Sequence, residues 1–112
     1  MPTKPPPPEI PEGLEHLLAL FVAEMVKDAV RLVELVGTLP DDGPLEDMAE
    51  HAHAMRGKAG LFGEHCLYAL LTRVERSALA GDAAPLPDLV TRVVERSGQL
   101  EVYGRDMAAG QV

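Results

Sequence analysis

The chain has 112 residues, of which 46% are hydrophobic, and this is enough for the core of one domain. Its 18 acidic residues outnumber its 10 basic residues, and the net charge of −8 disfavours binding to nucleic acids and to anionic membrane surfaces. The single cysteine, Cys66, excludes an internal disulfide framework and a multi-cysteine zinc site. Because the sequence has neither a membrane-spanning apolar run nor a signal-peptide pattern, we expect a cytoplasmic protein.

The first segment of the chain is rich in proline. Six of the ten prolines lie within the first eleven residues. Such a segment favours the extended polyproline II conformation, so residues 1–12 are expected to form an N-terminal tail largely outside the fold. A proline-rich ligand for a partner domain is the alternative interpretation of this tail.

Four segments with helical spacing of apolar residues follow the tail. They cover residues 14–36, 45–62, 64–80 and 86–105, and the proline pairs Pro40/Pro44 and Pro85/Pro87 mark loops between them. Gly63 marks the tightest turn, which joins the second and third segments into a helical hairpin. Because short connections bring each helix back beside its predecessor, residues 13–107 are predicted to form an all-α, antiparallel up-down four-helix bundle, with residues 108–112 as a C-terminal tail.

The second helix carries an unusual pattern on its outward face. At 100° per residue, His53 points about 130° away from the centre of the apolar stripe. Arg56, Gly57 and Gly60 follow it by three, four and seven residues, so they lie on the same or an adjoining face. Each glycine inside a helix costs about 1 kcal/mol relative to alanine. The spacing therefore predicts an exposed imidazole, a nearby cation and bare backbone that a partner surface can approach.

This combination suits phosphoryl transfer. A neutral imidazole is a competent nucleophile at cellular pH. After transfer the ring carries negatively charged oxygens, whose charge Arg56 and Lys58 could offset. We assign Gly57, Lys58 and Gly60 to the docking of a partner protein, because bulky side chains at the glycine positions would obstruct it.

The pattern resembles the histidine-containing phosphotransfer (HPt) domain, over approximately residues 14–105. The family's motif reads roughly His-x-x-Lys-Gly, followed by small residues and a glycine ten positions after the histidine. The matching positions here are His53, Arg56, Gly57, Ala59, Gly60, Phe62 and Gly63. The run Ala59–Gly63 is also similar to the phosphotransfer domain of chemotaxis-type histidine kinases. The chain departs from the motif at Arg56, where lysine is usual, and at Lys58, where a small residue is usual.

The resemblance implies a phosphoryl carrier rather than an enzyme, either free-standing or as the phospho-accepting domain of a larger histidine kinase. Nε2 of His53 would exchange a phosphoryl group with an aspartate of a response-regulator receiver domain, or receive it from the ATP-binding domain of a kinase. The chain itself needs no cofactor, since Mg²⁺ belongs to the partner, and we expect a monomer. The chemotaxis relatives also imply that Glu75 bonds the other ring nitrogen of His53, although a solvated charge is an equally good interpretation of Glu75.

Competing interpretations fit the spacing less well. His51 lies about 200° around the helix from His53 and has no charge or glycine at the corresponding offsets. No metal site is expected from His51, His53, His65 and Cys66, because they lack the i,i+3 or i,i+4 spacing of helical ligands. The alternative function is a non-catalytic docking module for receiver domains in which His53 is never phosphorylated.

Overall fold

The computed structural model describes residues 4–39 and 44–110. Within these ranges the chain is all-helical and contains four α-helices and no β-strand. The helices are α1 (Leu18–Val36), α2 (Pro44–Leu61), α3 (His65–Leu79) and α4 (Leu86–Ala108). A 3-10 turn, Glu15–Leu17, precedes α1, so the first α-helix begins four residues later than its apolar pattern predicts. Part of the first predicted loop, residues 40–43, and the chain ends 1–3 and 111–112 lie outside the described residues.

Proline and glycine set several helix ends. Pro44 is the first residue of α2, and Pro87 lies in the first turn of α4, where a missing N–H costs nothing. Gly63 and Gly81 follow α2 and α3 with φ of +67° and +73°, a conformation that glycine adopts without strain. These positions explain why the helices end where the sequence predicts.

The four helices surround a single aliphatic core. Among the described residues, α1 packs against α2, α2 against α3, α3 against α4 and α4 against α1, whereas the Cα atoms of the two diagonal pairs do not approach within 8 Å of each other. This order is compatible with a four-helix bundle. The fully buried side chains include Met25, Leu32, Met48, Met55, Leu67, Leu71, Leu86 and Leu100. The rings of Phe21 and Phe62 stack with their centroids 4.4 Å apart, which ties α1 to the end of α2. No helix in the described ranges has the length and hydropathy that a bilayer crossing requires.

The described part of the N-terminal segment, residues 4–11, packs on the bundle. Pro8 is buried, and Ile10 packs against the core. The backbone N–H of Glu9 donates to the carbonyl oxygen of Gly63 at 3.0 Å, and the Pro6 carbonyl accepts a hydrogen bond from Arg96 at 2.6 Å. The expectation that this tail lies largely outside the fold therefore needs correction at Pro8 and Ile10, whereas the other residues of the range 4–11 are exposed. Composition describes the polyproline preference of the segment, but it carries no information about partners more than fifty residues away.

A buried ion pair lies beneath this segment. The side chains of Arg96 on α4 and Glu64 are 6% and 1% exposed, and Nη2 of Arg96 lies 2.5 Å from Oε1 of Glu64. The other carboxylate oxygen of Glu64 accepts a hydrogen bond from the backbone N–H of Leu67 at 2.7 Å and so caps α3. One pair of side chains thus joins the start of α3, the middle of α4 and the N-terminal segment.

Candidate functional site

The buried face of α2 fixes the direction of His53. Ala52, Met55 and Ala59 are all fully buried against the neighbouring helices. Because side chains on a helix advance by 100° per residue, the imidazole of His53 points away from this face, and 67% of its side chain is exposed. The structure therefore places His53 on the outer surface of α2, as its spacing from the apolar stripe predicts.

Glu75 reaches His53 from α3. Its neighbours Leu71, Val74 and Ala78 are buried, and Glu75 itself is only 8% exposed. Its Oε2 lies 2.6 Å from Nδ1 of His53. A carboxylate can only accept hydrogen bonds, so in the neutral ring the proton lies on Nδ1 and the lone pair on Nε2. Of the two interpretations of Glu75, the solvated charge does not fit this burial and this contact.

Arg56 completes a three-residue cluster with His53 and Glu75. Its Nη1 lies 3.4 Å from Oε1 of Glu75, and its Nη2 lies 3.2 Å from Nδ1 of His53. Because Nδ1 donates its proton to Glu75, the guanidinium cannot also donate to that nitrogen. Within this cluster, the attractive contact of Arg56 is therefore its ion pair with Glu75. The cation predicted from the sequence is present beside His53, and in this structure a carboxylate on α3 engages it.

The two glycines of α2 differ in their surroundings. Both Gly57 and Gly60 are exposed. A Cβ atom added at Gly57 would have no neighbour within 4 Å, so the backbone there is open. A Cβ at Gly60 would lie 3.4 Å from Cδ2 of Tyr68 on α3, so an aromatic ring occupies that side of the helix.

Gly63 serves the turn between α2 and α3 and also the N-terminal segment. Besides its positive φ, a Cβ at this position would overlap the carbonyl oxygen of Glu9. Glycine is thus required at Gly63 for two reasons, the backbone conformation and the close approach of a second chain segment. The turn role assigned to Gly63 agrees with this geometry, whereas the contact with Glu9 has no counterpart in the motif.

Lys58 points away from His53. Its Nζ lies 3.1 Å from Oδ2 of Asp28 and 3.7 Å from Oε2 of Glu24, both on α1. The hydrogen bond to Asp28 is the main cause that raises the pKa of Lys58 above its ordinary value. The ammonium group therefore stabilises the α1–α2 contact in this structure and does not lie beside the imidazole.

His51 and His65 have separate partners. Nε2 of His51 lies 3.0 Å from the carbonyl oxygen of Asp28, and Nε2 of His65 lies 3.0 Å from Oε2 of Glu9. His51 and His53 thus face different neighbours, as their offset of two residues predicts. The structure does not bring His51, His53, His65 and Cys66 together.

An open groove runs along α2 and α3 beside the imidazole. It is lined by Glu46, Ala49, Glu50, His53, Glu75 and Leu79. Leu79 is 72% exposed, so the groove has an apolar margin as well as acidic groups. An open surface with an exposed apolar margin suits a macromolecular partner better than a small molecule, which favours an enclosed cavity.

Two contacts are not predicted from the sequence, one beside His53 and one at the start of α3. Tyr68 lies under the guanidinium of Arg56, with its ring centroid 5.7 Å from Cζ. The sequence contains one indication of the Arg56–Tyr68 contact. Tyr68 precedes Glu75 by seven residues, so the two residues share a face of α3. The Glu64–Arg96 pair has no such signal, since its members are 32 residues apart on different elements.

Comparisons with protein-family models, curated proteins and solved structures gave no match. The functional assignment therefore depends on the residues around His53 and on their geometry.

Proposed function

We propose that this chain is a phosphoryl carrier of a two-component phosphorelay and forms an antiparallel, HPt-like bundle in the cytoplasm. In this proposal His53 exchanges a phosphoryl group with an aspartate of a receiver domain or receives it from the ATP-binding domain of a histidine kinase. The observation that carries the proposal is the 2.6 Å contact between Nδ1 of His53 and Glu75 on an otherwise exposed imidazole. It leaves Nε2 as the free nucleophile on the surface.

The chemistry follows from this tautomer. The Nε2 lone pair attacks the phosphorus of an aspartyl phosphate, a P–N bond forms, and the P–O bond to the aspartate breaks with its electron pair on the departing carboxylate. The phosphorylated ring is then cationic, and its Nδ1–H stays hydrogen-bonded to the carboxylate of Glu75. The buried carboxylate thus stabilises the charge that develops on the ring. The reverse step follows the same path, with Mg²⁺ held by the receiver domain.

The surroundings of His53 support protein docking. The backbone at Gly57 is open one turn from the imidazole, and Leu79 and Leu61 are 72% and 61% exposed. The guanidinium of Arg56 lies beside the imidazole, and its remaining N–H groups can donate to the anionic phosphoryl oxygens while Nη1 stays paired with Glu75. These features supply a nucleophile, a cation and a surface for a partner that brings the metal ion.

The proposal is tested by phosphoryl transfer from a panel of phosphorylated receiver domains and from the ATP-binding domains of histidine kinases. We expect acid-labile, base-stable phosphate on the wild-type chain and on His51→Gln, and none on His53→Gln. His51→Gln is the matched control, because it removes a histidine from the same helix. If no donor of either class labels the chain while a receiver still binds it, the phosphorelay proposal fails and the docking module is favoured.

A further inference from the structure

The ring of Tyr68 lies beside both Arg56 and Gly60 of α2, and the phosphoryl-transfer chemistry described above does not use it. Its side chain lies on α3 and is 44% exposed. Its ring lies 5.7 Å from Cζ of Arg56, within the range of a cation–π interaction. The edge of the same ring faces Gly60.

The face of α3 that carries Tyr68 also carries Glu75, two helical turns further on. Arg56 lies across both residues, with Nη1 3.4 Å from Oε1 of Glu75 and Cζ over the ring of Tyr68. An anion and an aromatic face therefore hold one guanidinium between them. An arginine side chain in solvent has high rotamer entropy, so two such contacts restrict the positions that its charge can occupy.

Gly60 makes room for this arrangement. A Cβ at Gly60 would lie 3.4 and 3.5 Å from Cδ2 and Cε2 of Tyr68, which is van der Waals contact, so a much larger side chain there would compete with the ring for space. Gly57, by contrast, has nothing within 4 Å. The ring of Tyr68 therefore lies directly beside the helix backbone at Gly60 and also beside Arg56.

We propose that Tyr68 is a positioning residue, whose ring holds the Arg56 guanidinium against Glu75 and keeps the cation beside His53. This inference rests on the proposed phosphoryl-carrier function. Without the ring, Arg56 samples solvent, and the cation is less often in place when the phosphoryl group arrives at Nε2. The maximal rate of phosphoryl transfer then falls, while the affinity for the receiver domain is unchanged.

The experiment compares Tyr68→Leu, which removes the aromatic face but keeps apolar bulk, with Tyr68→Phe, which keeps the face. The first readout is the NMR shift of the Arg56 Hδ and Nε–H protons. We expect the ring-current shift in the wild type and in Tyr68→Phe, and its loss in Tyr68→Leu. Gly60→Leu should also lose it by displacing the ring, whereas Gly57→Leu should retain it.

The second readout is single-turnover transfer from a phosphorylated receiver at saturating concentrations. We expect Tyr68→Leu to lower the maximal rate about 2- to 5-fold, the range of an exposed cation–π contact, and Tyr68→Phe to restore it. The inference is overturned if Arg56 shows the same shift in Tyr68→Leu, if that variant transfers at the wild-type rate, or if Tyr68→Phe is equally slow. If the wild type accepts no phosphate at all, the proposed function fails, but the Arg56 shifts still decide whether Tyr68 positions this side chain.

Discussion

The buried ion pair between Arg96 and Glu64 makes a strong prediction about stability. In the folded chain Arg96 donates from Nη2 to Glu64 at 2.5 Å and to the Pro6 carbonyl at 2.6 Å, and from Nη1 to Gln99 at 3.1 Å. Arg96→Met keeps a long side chain but removes all three hydrogen bonds. The carboxylate of Glu64, 1% exposed, then retains only the backbone N–H of Leu67.

The magnitude follows from this burial. Removing one member of a buried ion pair costs about 3–5 kcal/mol, because the remaining charge is left without compensation in a low-dielectric interior. The apolar bulk of methionine offsets a part of this cost, so we expect Arg96→Met to lower the free energy of unfolding by about 3 kcal/mol. Since small domains have a total stability of about 5–15 kcal/mol, this loss is a large fraction of it.

Urea denaturation of the wild type, Arg96→Met, Glu64→Gln and the double variant measures this cost. At a slope of about 2 kcal/mol per molar urea, a loss of 3 kcal/mol lowers the midpoint by roughly 1.5 M. The double variant should lose less than the sum of the single variants, because neither buried charge is then left alone. A change below about 0.5 kcal/mol for Arg96→Met, as for an exposed residue, would refute the reasoning.

Three further substitutions test other parts of the structure. Gly63→Ala should lower the free energy of unfolding by at least about 1–2 kcal/mol in chemical denaturation, because φ is +67° and the Cβ would overlap the Glu9 carbonyl; wild-type stability would contradict this contact. Gly57→Leu should stabilise α2 by up to about 1 kcal/mol and still slow transfer from a phosphorylated receiver; unchanged transfer kinetics would exclude the docking role of the open backbone. Lys58→Met should cost roughly 0.5 kcal/mol at neutral pH, because the pair with Asp28 is partly exposed. Since Asp28 raises the pKa of Lys58 in the folded chain, this difference should disappear as the pH rises through that pKa, above about pH 10.4; a difference that persists there would show that the pair is not its cause.

The helical elements and the direction of His53 were predictable because both depend on local spacing. Apolar residues recur with the helical period, and proline and glycine mark most of the ends, so the four helices lie within a few residues of their predicted bounds. Because side chains rotate by 100° per residue around the helix, the register that buries Met55 also directs His53 outward. For Glu75, the residue spacing alone left two interpretations open, and the burial of its side chain and its 2.6 Å contact with His53 do not fit a solvated charge.

The features that the sequence did not predict depend on contacts between distant segments. By composition Pro8 belongs to a solvated tail, and only the fold shows that it is buried. Arg96 and Glu64 are charged residues that sequence patterns place on the surface, and only the fold shows that each is the partner of the other. Lys58 follows Gly57 in the motif, but its charge pairs with α1 because Asp28 and Glu24 lie there.

The measurement that tests the central claim most directly is the identity of the phosphorylated nitrogen. The chain, labelled with ¹⁵N-histidine and charged by a phosphorylated donor, would be examined by ³¹P–¹⁵N correlation NMR. Because Glu75 holds the Nδ1 proton of His53, we predict coupling of phosphorus to Nε2 of His53 alone. Phosphate on Nδ1, phosphate on another histidine, or no phosphohistidine with any donor would contradict the account.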